Sequence, residues 1–122
     1  MNYNINLVMS GILKNRRVNQ EVFTMTINKK TDGTVLTIAP IGRVDTTTAP
    51  ELEKELINSL PGVTELIMDL SGLDYISSAG LRVLLSAQKA MNKQGSMKVC
   101  NVNETIMEIF EVTGFVDILT IE

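Results

Sequence analysis

The chain contains no histidine and no tryptophan, and its 122 residues include only three phenylalanines and two tyrosines. Without histidine, Ser-His and Cys-His nucleophile pairs and histidine-ligated metal sites are excluded. So few aromatic side chains also argue against an aromatic-lined cofactor pocket or a surface that stacks nucleic-acid bases. We therefore expect a protein that is not an enzyme and that holds no cofactor or metal.

Other features that the sequence lacks bear on the cellular compartment and on the possible binding partners. Cys100 is the single cysteine, so no internal disulfide can form, as is usual in a reducing cytoplasm. The net charge is −3, which leaves no electrostatic footprint for nucleic acid. No apolar run reaches the roughly 18 residues that would suggest a membrane span. The bases Lys14, Arg16 and Arg17 follow the apolar N-terminal residues instead of preceding them. We expect a cytoplasmic protein with no signal peptide, no nucleic-acid partner and no membrane insertion.

What is present suits one domain with one core, because 44% of the residues are apolar and the chain is short. Residues 1–22 are rich in Asn and lack clear periodicity, so we expect a flexible or loosely docked extension there. The domain is then predicted to span residues 23–122. A β-hairpin is predicted at its start, with strands at residues 22–28 and 34–41 and a turn that uses Gly33.

Helices and strands are predicted to alternate after the hairpin. A helix begins near Pro50 and carries leucines at every fourth position, and a second helix begins at Ser77 or Ser78 and ends at Gly95. Strands are predicted at residues 65–70 and 97–102, a third helix at 104–112, and an additional terminal strand at 116–121. The order ββαβαβα(β) predicts an α/β fold, in which helices pack against a mixed, largely parallel sheet of four to five strands.

Two segments carry a resemblance to a known family. Residues 42–52 have the sequence GRVDTTTAPEL, and residues 68–84 have the sequence MDLSGLDYISSAGLRVL. In this order, with a helix and a strand between them, they resemble the STAS domain family in its anti-sigma-factor antagonist type. The resemblance covers residues 25–122 and implies the fold predicted above.

The resemblance also implies a function and an acceptor serine. Such an antagonist binds an ATP-dependent serine kinase that doubles as the anti-sigma factor, and so releases the sigma factor. Phosphorylation of one serine ends the interaction, and a metal-dependent Ser/Thr phosphatase restores it. The matching position is Ser78, two residues before Gly80. Ser77 stands where phosphorylatable antagonists often have Asp, which makes Ser77 the second candidate.

The family pattern places the partner-binding residues around this serine. They are Asp45, Thr46, Thr47, Ser77, Ala79, Gly80, Leu81 and Arg82. Structural explanations stay open beside this role: Asp45 could cap the helix that contains Pro50, and Gly80 could serve tight helix–strand packing. Arg82, one turn into its helix, is either a solvated residue or one that meets a phosphate or an acidic partner.

Physical chemistry allows a switch at Ser78 independently of the family. A serine at a helix N-terminus serves first as a cap, worth about 1 kcal/mol. A phosphate there adds roughly −1.5 to −2 charges, which the helix dipole and the free N–H groups accommodate. Phosphorylation is therefore expected to change the binding surface without unfolding the domain.

Other functions are weighed against this one. The first alternative is a STAS module that is never phosphorylated, such as an accessory subunit of a membrane transport system. A small-molecule-binding or enzymatic domain would need a polar pocket, and no GxGxxG or phosphate-binding loop is present. Asp69 and Asp74 lack a histidine or a further acid for a metal site, and Cys100 is expected to be structural.

The N-terminus prompts a separate hypothesis. Codons for Gln20, Glu21 and Val22 can spell a purine-rich ribosome-binding sequence at a normal distance before the codon of Met25. Translation is therefore expected to begin at Met25 in the cell, with a real but functionally optional tail at residues 1–24 as the alternative. The intact mass of the native protein distinguishes the two.

Overall fold

The computed structural model describes residues 25–122, so the predicted extension at 1–22 and the start of the predicted strand at 22–28 lie outside the described residues. The chain forms five strands and three α-helices over this range, followed by a short 3-10 helix. The strands are β1 (Met25–Asp32), β2 (Val35–Val44), β3 (Glu65–Asp69), β4 (Leu73–Ile76) and β5 (Ser96–Cys100). The helices are α1 (Ala49–Ser59), α2 (Ser78–Gln94) and α3 (Glu104–Thr113), and the 3-10 helix is Phe115–Asp117.

The predicted hairpin is confirmed in β1 and β2, which pair antiparallel from Met25 opposite Gly42 to Asp32 opposite Val35. Gly33 lies in the turn with a φ of +62°, a conformation that favours glycine. β2 also pairs in parallel with β3, and β3 with β5, which gives the order β1-β2-β3-β5. The sheet is therefore mixed and largely parallel, as predicted.

The sequence pattern does not predict β4. This four-residue strand pairs in parallel with the end of β2, from Gly42 to Val44, beyond the part of β2 that pairs with β3. A register shift separates Gly42 from Arg43, and the Gly42 N–H donates to the Gly72 carbonyl at 2.9 Å. Only the two end residues of β4 are buried, so the strand has no alternating pattern that could reveal it.

The predicted terminal strand at residues 116–121 is wrong. After Gly114, whose φ is +81°, the chain enters the 3-10 helix, and Leu119 turns into the core. Only Ile121 forms a bridge, in parallel with Val99 of β5. Burial of Leu119 therefore prevails over the strand propensity of this apolar stretch.

One hydrophobic core lies between the sheet and the helices. Side chains alternate along β2, where Leu36 and Ile38 are buried while Val35 and Thr37 are half-buried. The buried face meets apolar residues of all three helices, and the largest fully buried side chain is Phe110 of α3. The other core members include Leu52, Leu56, Leu66, Met68, Leu84, Met91, Met97, Val99 and Ile106. Because α2 packs on this core, its first turn has a defined position at one end of the sheet.

Candidate functional site

The two segments that carry the family pattern meet at the carboxyl ends of β2 and β4. β2 continues into the loop that begins with Asp45, and β4 continues directly into α2. Val44 lies opposite Ile76 in the parallel pair, and the Ser77 N–H donates to the Val44 carbonyl at 2.8 Å. The loop and the first turn of α2 therefore form one surface, at the edge where parallel sheets commonly place their sites.

Ser77 and Ser78 occupy different environments although they are adjacent. Ser78 is the first residue of α2 and its side chain is exposed. Ser77 is the N-cap residue, with φ −95° and ψ 178°, and its carbonyl accepts the Leu81 N–H at 2.9 Å. The Ser77 hydroxyl is buried and forms no hydrogen bond with any described residue. Of the two hydroxyls, only that of Ser78 is open to a second protein.

The loop after β2 is held by a small network around Asp45 and Thr48. The Asp45 Oδ1 accepts the N–H groups of Thr47 and Thr48, at 3.0 Å and 3.1 Å. The Thr48 hydroxyl donates to the Arg43 carbonyl at 2.8 Å and accepts the Asp45 N–H at 2.9 Å. These bonds leave Thr46 and Thr47 exposed at the tip of a fixed loop.

Asp45 has a lowered pKa in this surface. Its partial burial, which raises the pKa, is outweighed by the N–H groups of Thr48 and Thr47, the Thr48 hydroxyl and the nearby Arg43, so the pKa lies below its usual value. The Arg43 Nε lies 3.6 Å from the Asp45 Oδ2, and the Asp45 side chain is only 16% exposed. Asp45 therefore remains ionised and organises the loop before α1. It is not the N-cap of that helix, because Thr48 occupies the N-cap position.

Arg43 and Tyr75 belong to this edge, and the sequence alone does not single them out. They lie opposite each other in the β2–β4 pair, and the Arg43 guanidinium lies 4.5 Å from the centre of the Tyr75 ring. The Arg43 side chain is 42% exposed and Tyr75 is 36% exposed. The sequence would have indicated this contact only if residues 73–76 had been recognised as a strand, because the pairing of β4 with β2 sets Arg43 opposite Tyr75.

The remaining predicted residues separate into buried and exposed groups along α2. Gly80 and Leu81 are buried, Ala79 is half-buried and Arg82 is exposed. A Cβ at Gly80 would lie 2.6 Å from the Ile76 Cγ1 and 2.8 Å from the Val44 Cγ1. The geometry thus gives Gly80 the packing role that the sequence left open, and it lets α2 begin close to β2 and β4.

Asp69 and Cys100, the other candidate residues, have surroundings that point to structural roles. Within residues 25–122, no three His, Cys, Asp or Glu side chains are grouped so as to hold a metal ion. The Asp69 carboxylate accepts the Asn101 side-chain amide at 3.0 Å and the Ser71 N–H at 3.0 Å. Burial raises the pKa of the half-buried Cys100 thiol, which favours its unreactive protonated form. In the same part of the chain, no helix combines the length and apolar character that a membrane crossing requires.

Comparison with known proteins identifies the family. The family model described as STAS domain matches residues 26–122. The chain belongs to the STAS domain family. The predicted resemblance is thereby confirmed over nearly all of the described residues.

Two relatives of this STAS protein are named for the same activity. BtrV of Bordetella bronchiseptica, provisionally named an anti-sigma factor antagonist, is 39% identical over 82 residues, which are 66% of this chain and 71% of BtrV. The anti-sigma-B factor antagonist of Bacillus subtilis is 33% identical over 81 residues, 66% of this chain and 74% of the relative.

Solved structures agree with the fold. An anti-sigma factor antagonist from Mycobacterium paratuberculosis superimposes with a TM-score of 0.74 at 21% identity, over 80% of this chain and 85% of that chain. The phosphorylated form of SpoIIAA, a Bacillus cell fate determinant, superimposes with a TM-score of 0.64 at 15% identity, over 80% of this chain and 91% of that chain. The predicted fold class is therefore confirmed.

Proposed function

We propose that the protein is an anti-sigma-factor antagonist, which binds a serine-kinase anti-sigma factor in the cytoplasm and thereby releases a sigma factor. The two relatives above, at 39% and 33% identity, support this activity by their names. The partner is a protein with an ATP site of its own. This chain needs no catalytic residue, cofactor or metal for the role.

The observation that carries the proposal is the position of Ser78. It is exposed at the first turn of α2, beside a loop that internal hydrogen bonds hold in place, while the neighbouring Ser77 hydroxyl is buried. A kinase can reach the Ser78 hydroxyl without local unfolding. Among the structural neighbours, SpoIIAA in its phosphorylated form is a protein of this fold that carries a phosphate.

Phosphorylation of Ser78 switches the interaction off. The phosphate adds roughly −1.5 to −2 charges. Removing water from such a charged group costs free energy, so the phosphate destabilises an interface that was complementary to a small neutral hydroxyl. A metal-dependent Ser/Thr phosphatase removes the group and restores binding. The helix N-terminus tolerates the anion, so the change concerns the surface and not the fold.

Residues of the partner-binding surface either contact the partner directly or hold the surface in shape. Thr46, Thr47 and Arg82 are exposed and contact the partner directly, together with the accessible part of Ala79. The other members shape the surface from below: Asp45 by fixing the loop, Ser77 by starting α2, and Gly80 and Leu81 by packing.

The deciding experiment is a phosphorylation assay with the cognate kinase and ATP, followed by mapping of the modified residue. Phosphate is expected on Ser78, lost in Ser78→Ala and retained in the matched control Ser77→Ala. Phosphate that is lost only in Ser77→Ala would show that the acceptor is Ser77 and not Ser78. Absence of any phosphate, together with binding to a subunit of a transport ATPase, would instead support the accessory-subunit alternative.

A further inference from the structure

Arg82 and Ser78 lie on the same face of α2, four residues apart. Residues at this spacing are neighbours on a helix surface, about 6 Å apart at Cβ. Helical side chains lean toward the N-terminus, so the Arg82 side chain extends toward the turn that contains Ser78. Both residues are exposed, which leaves the space between them open for a phosphate.

Within residues 25–122, Arg82 forms no ion pair, whereas the other arginine of this edge is engaged. Arg43 lies beside the Asp45 carboxylate and over the Tyr75 ring. The first turn of α2 contains no acidic residue. Asp45 is the acid identified on the adjoining loop, and its carboxylate already faces Arg43 and two backbone N–H groups. The Arg82 guanidinium is therefore available to a new anion.

We propose that Arg82 binds the phosphate on Ser78, and that this intramolecular ion pair withdraws Arg82 from an acidic group of the partner. The inference rests on the proposed function and adds a mechanism of regulation to it. A guanidinium fork fits two phosphate oxygens, so the pair has a defined geometry that a lysine reproduces only in part.

One modification would then change the surface at two positions. The phosphate adds negative charge at Ser78, and the Arg82 cation turns from the partner toward that phosphate. A partner with an acidic group opposite Arg82 loses an attraction and meets a repulsion. This explains how a single group on a small surface produces a large change in affinity.

The pair can be tested without any kinase, by inserting phosphoserine at position 78 during translation of the full chain. The second ionisation of the phosphate is followed by ³¹P NMR as a function of pH. Replacing arginine in Arg82→Gln should raise the phosphate pKa by about 0.2–0.4, the size expected from an exposed ion pair one turn away. Arg82→Lys should give an intermediate value.

Lys89→Gln is the matched control. Lys89 is an exposed cation on the same face of α2, but it lies 11 residues from Ser78, about 16 Å along the helix. Its removal should leave the phosphate pKa unchanged. The ion pair between Arg82 and the phosphate on Ser78 would be contradicted by a phosphate pKa that is the same in the parent and in Arg82→Gln. It would also be contradicted by a phosphate pKa that moves equally in Lys89→Gln.

A second measurement addresses the partner. For the unmodified protein, Arg82→Gln should weaken binding to the cognate kinase about tenfold, as expected for one interfacial charge pair, while Lys89→Gln should not. Unchanged affinity would refute the acidic contact. Failure of the kinase to modify Ser78 would contradict the proposed function alone, because the ³¹P test does not depend on the kinase.

Discussion

Among single residues, Gly80 determines how closely α2 approaches the sheet. Its missing side chain leaves room for Ile76 and Val44, and the Val44 carbonyl would lie 3.1 Å from an added Cβ. The obstacles are β-branched side chains and a backbone group, which yield little. The position of Ser78 two residues earlier therefore depends on this glycine.

Gly80→Ala should lower the free energy of unfolding by about 1–2 kcal/mol. Overpacking costs about 1–3 kcal/mol, and because the obstacles here yield little we expect the upper part of that range, about 2–3 kcal/mol. The better helix propensity of alanine offsets about 1 kcal/mol of it. Urea unfolding followed by circular dichroism measures the difference. The control Ser86→Ala, at an exposed position of the same helix, should change stability by less than about 0.5 kcal/mol. A variant Gly80→Ala as stable as the parent would contradict the packing role.

Asp45 gives a pH-dependent contribution to stability. Its pKa is lower in the folded protein than in the unfolded chain, because the effect of burial is outweighed by the N–H groups of Thr48 and Thr47, the Thr48 hydroxyl and the nearby Arg43. Its contribution is therefore fully present above the unfolded-state pKa of about 4, and it is lost as pH falls through the lower folded-state pKa.

Comparing the parent with Asp45→Asn tests whether the contribution of Asp45 to stability is lost on acidification. Asparagine keeps an oxygen that can accept the same N–H groups but has no charge. Urea unfolding at several pH values should show the parent more stable by a constant amount from about pH 5 to 7, with the gap narrowing below about pH 4. A gap that widens on acidification would contradict the lowered pKa.

At the scale of elements, the helix starts differ in how they are capped. The Asn103 Oδ1 accepts the Ile106 N–H at 2.9 Å, and its Nδ2 donates to the Leu73 carbonyl at 2.8 Å. Asn103 thus joins the start of α3 to β4. Ser77, at the start of α2, forms no such bond, although serine is equally favoured as a cap.

Asn103→Ala should cost about 1–2 kcal/mol of unfolding free energy, because it removes a cap and leaves a carbonyl without its donor. Ser77→Ala should change stability by less than about 0.5 kcal/mol, since the buried hydroxyl makes no hydrogen bond among the described residues that could be lost. Chemical denaturation of the two variants side by side measures both. The reverse order of stabilities would contradict these capping assignments.

At the scale of the whole molecule, phosphorylation is expected to alter recognition and not folding. The negative charge at the first residue of α2 interacts favourably with the helix dipole, and no acidic residue occupies that turn. The protein with phosphoserine at position 78 should keep its circular dichroism spectrum and unfold within about 1 kcal/mol of the unmodified form. A loss of several kcal/mol would mean that the switch acts by unfolding.

Much of the architecture could be predicted from local patterns in the sequence. The hairpin turn at Gly33, the helix that contains Pro50, and α3 with Gly114 after its last turn all follow from short-range rules, because each depends on neighbouring residues. The terminal strand was predicted wrongly, and β4 was not predicted, because both are decided by pairing and burial far along the chain.

By itself, the sequence determined the family, the initial hairpin, the three helices and the pair of adjacent serines that includes the proposed acceptor. Only the tertiary structure decided that the Ser78 hydroxyl is exposed while that of Ser77 is buried. It also placed Arg43 against Tyr75 through the register of β4 with β2. The reason is physical: composition and periodicity report on neighbours in the chain, whereas exposure and side-chain contacts arise when distant segments pack together.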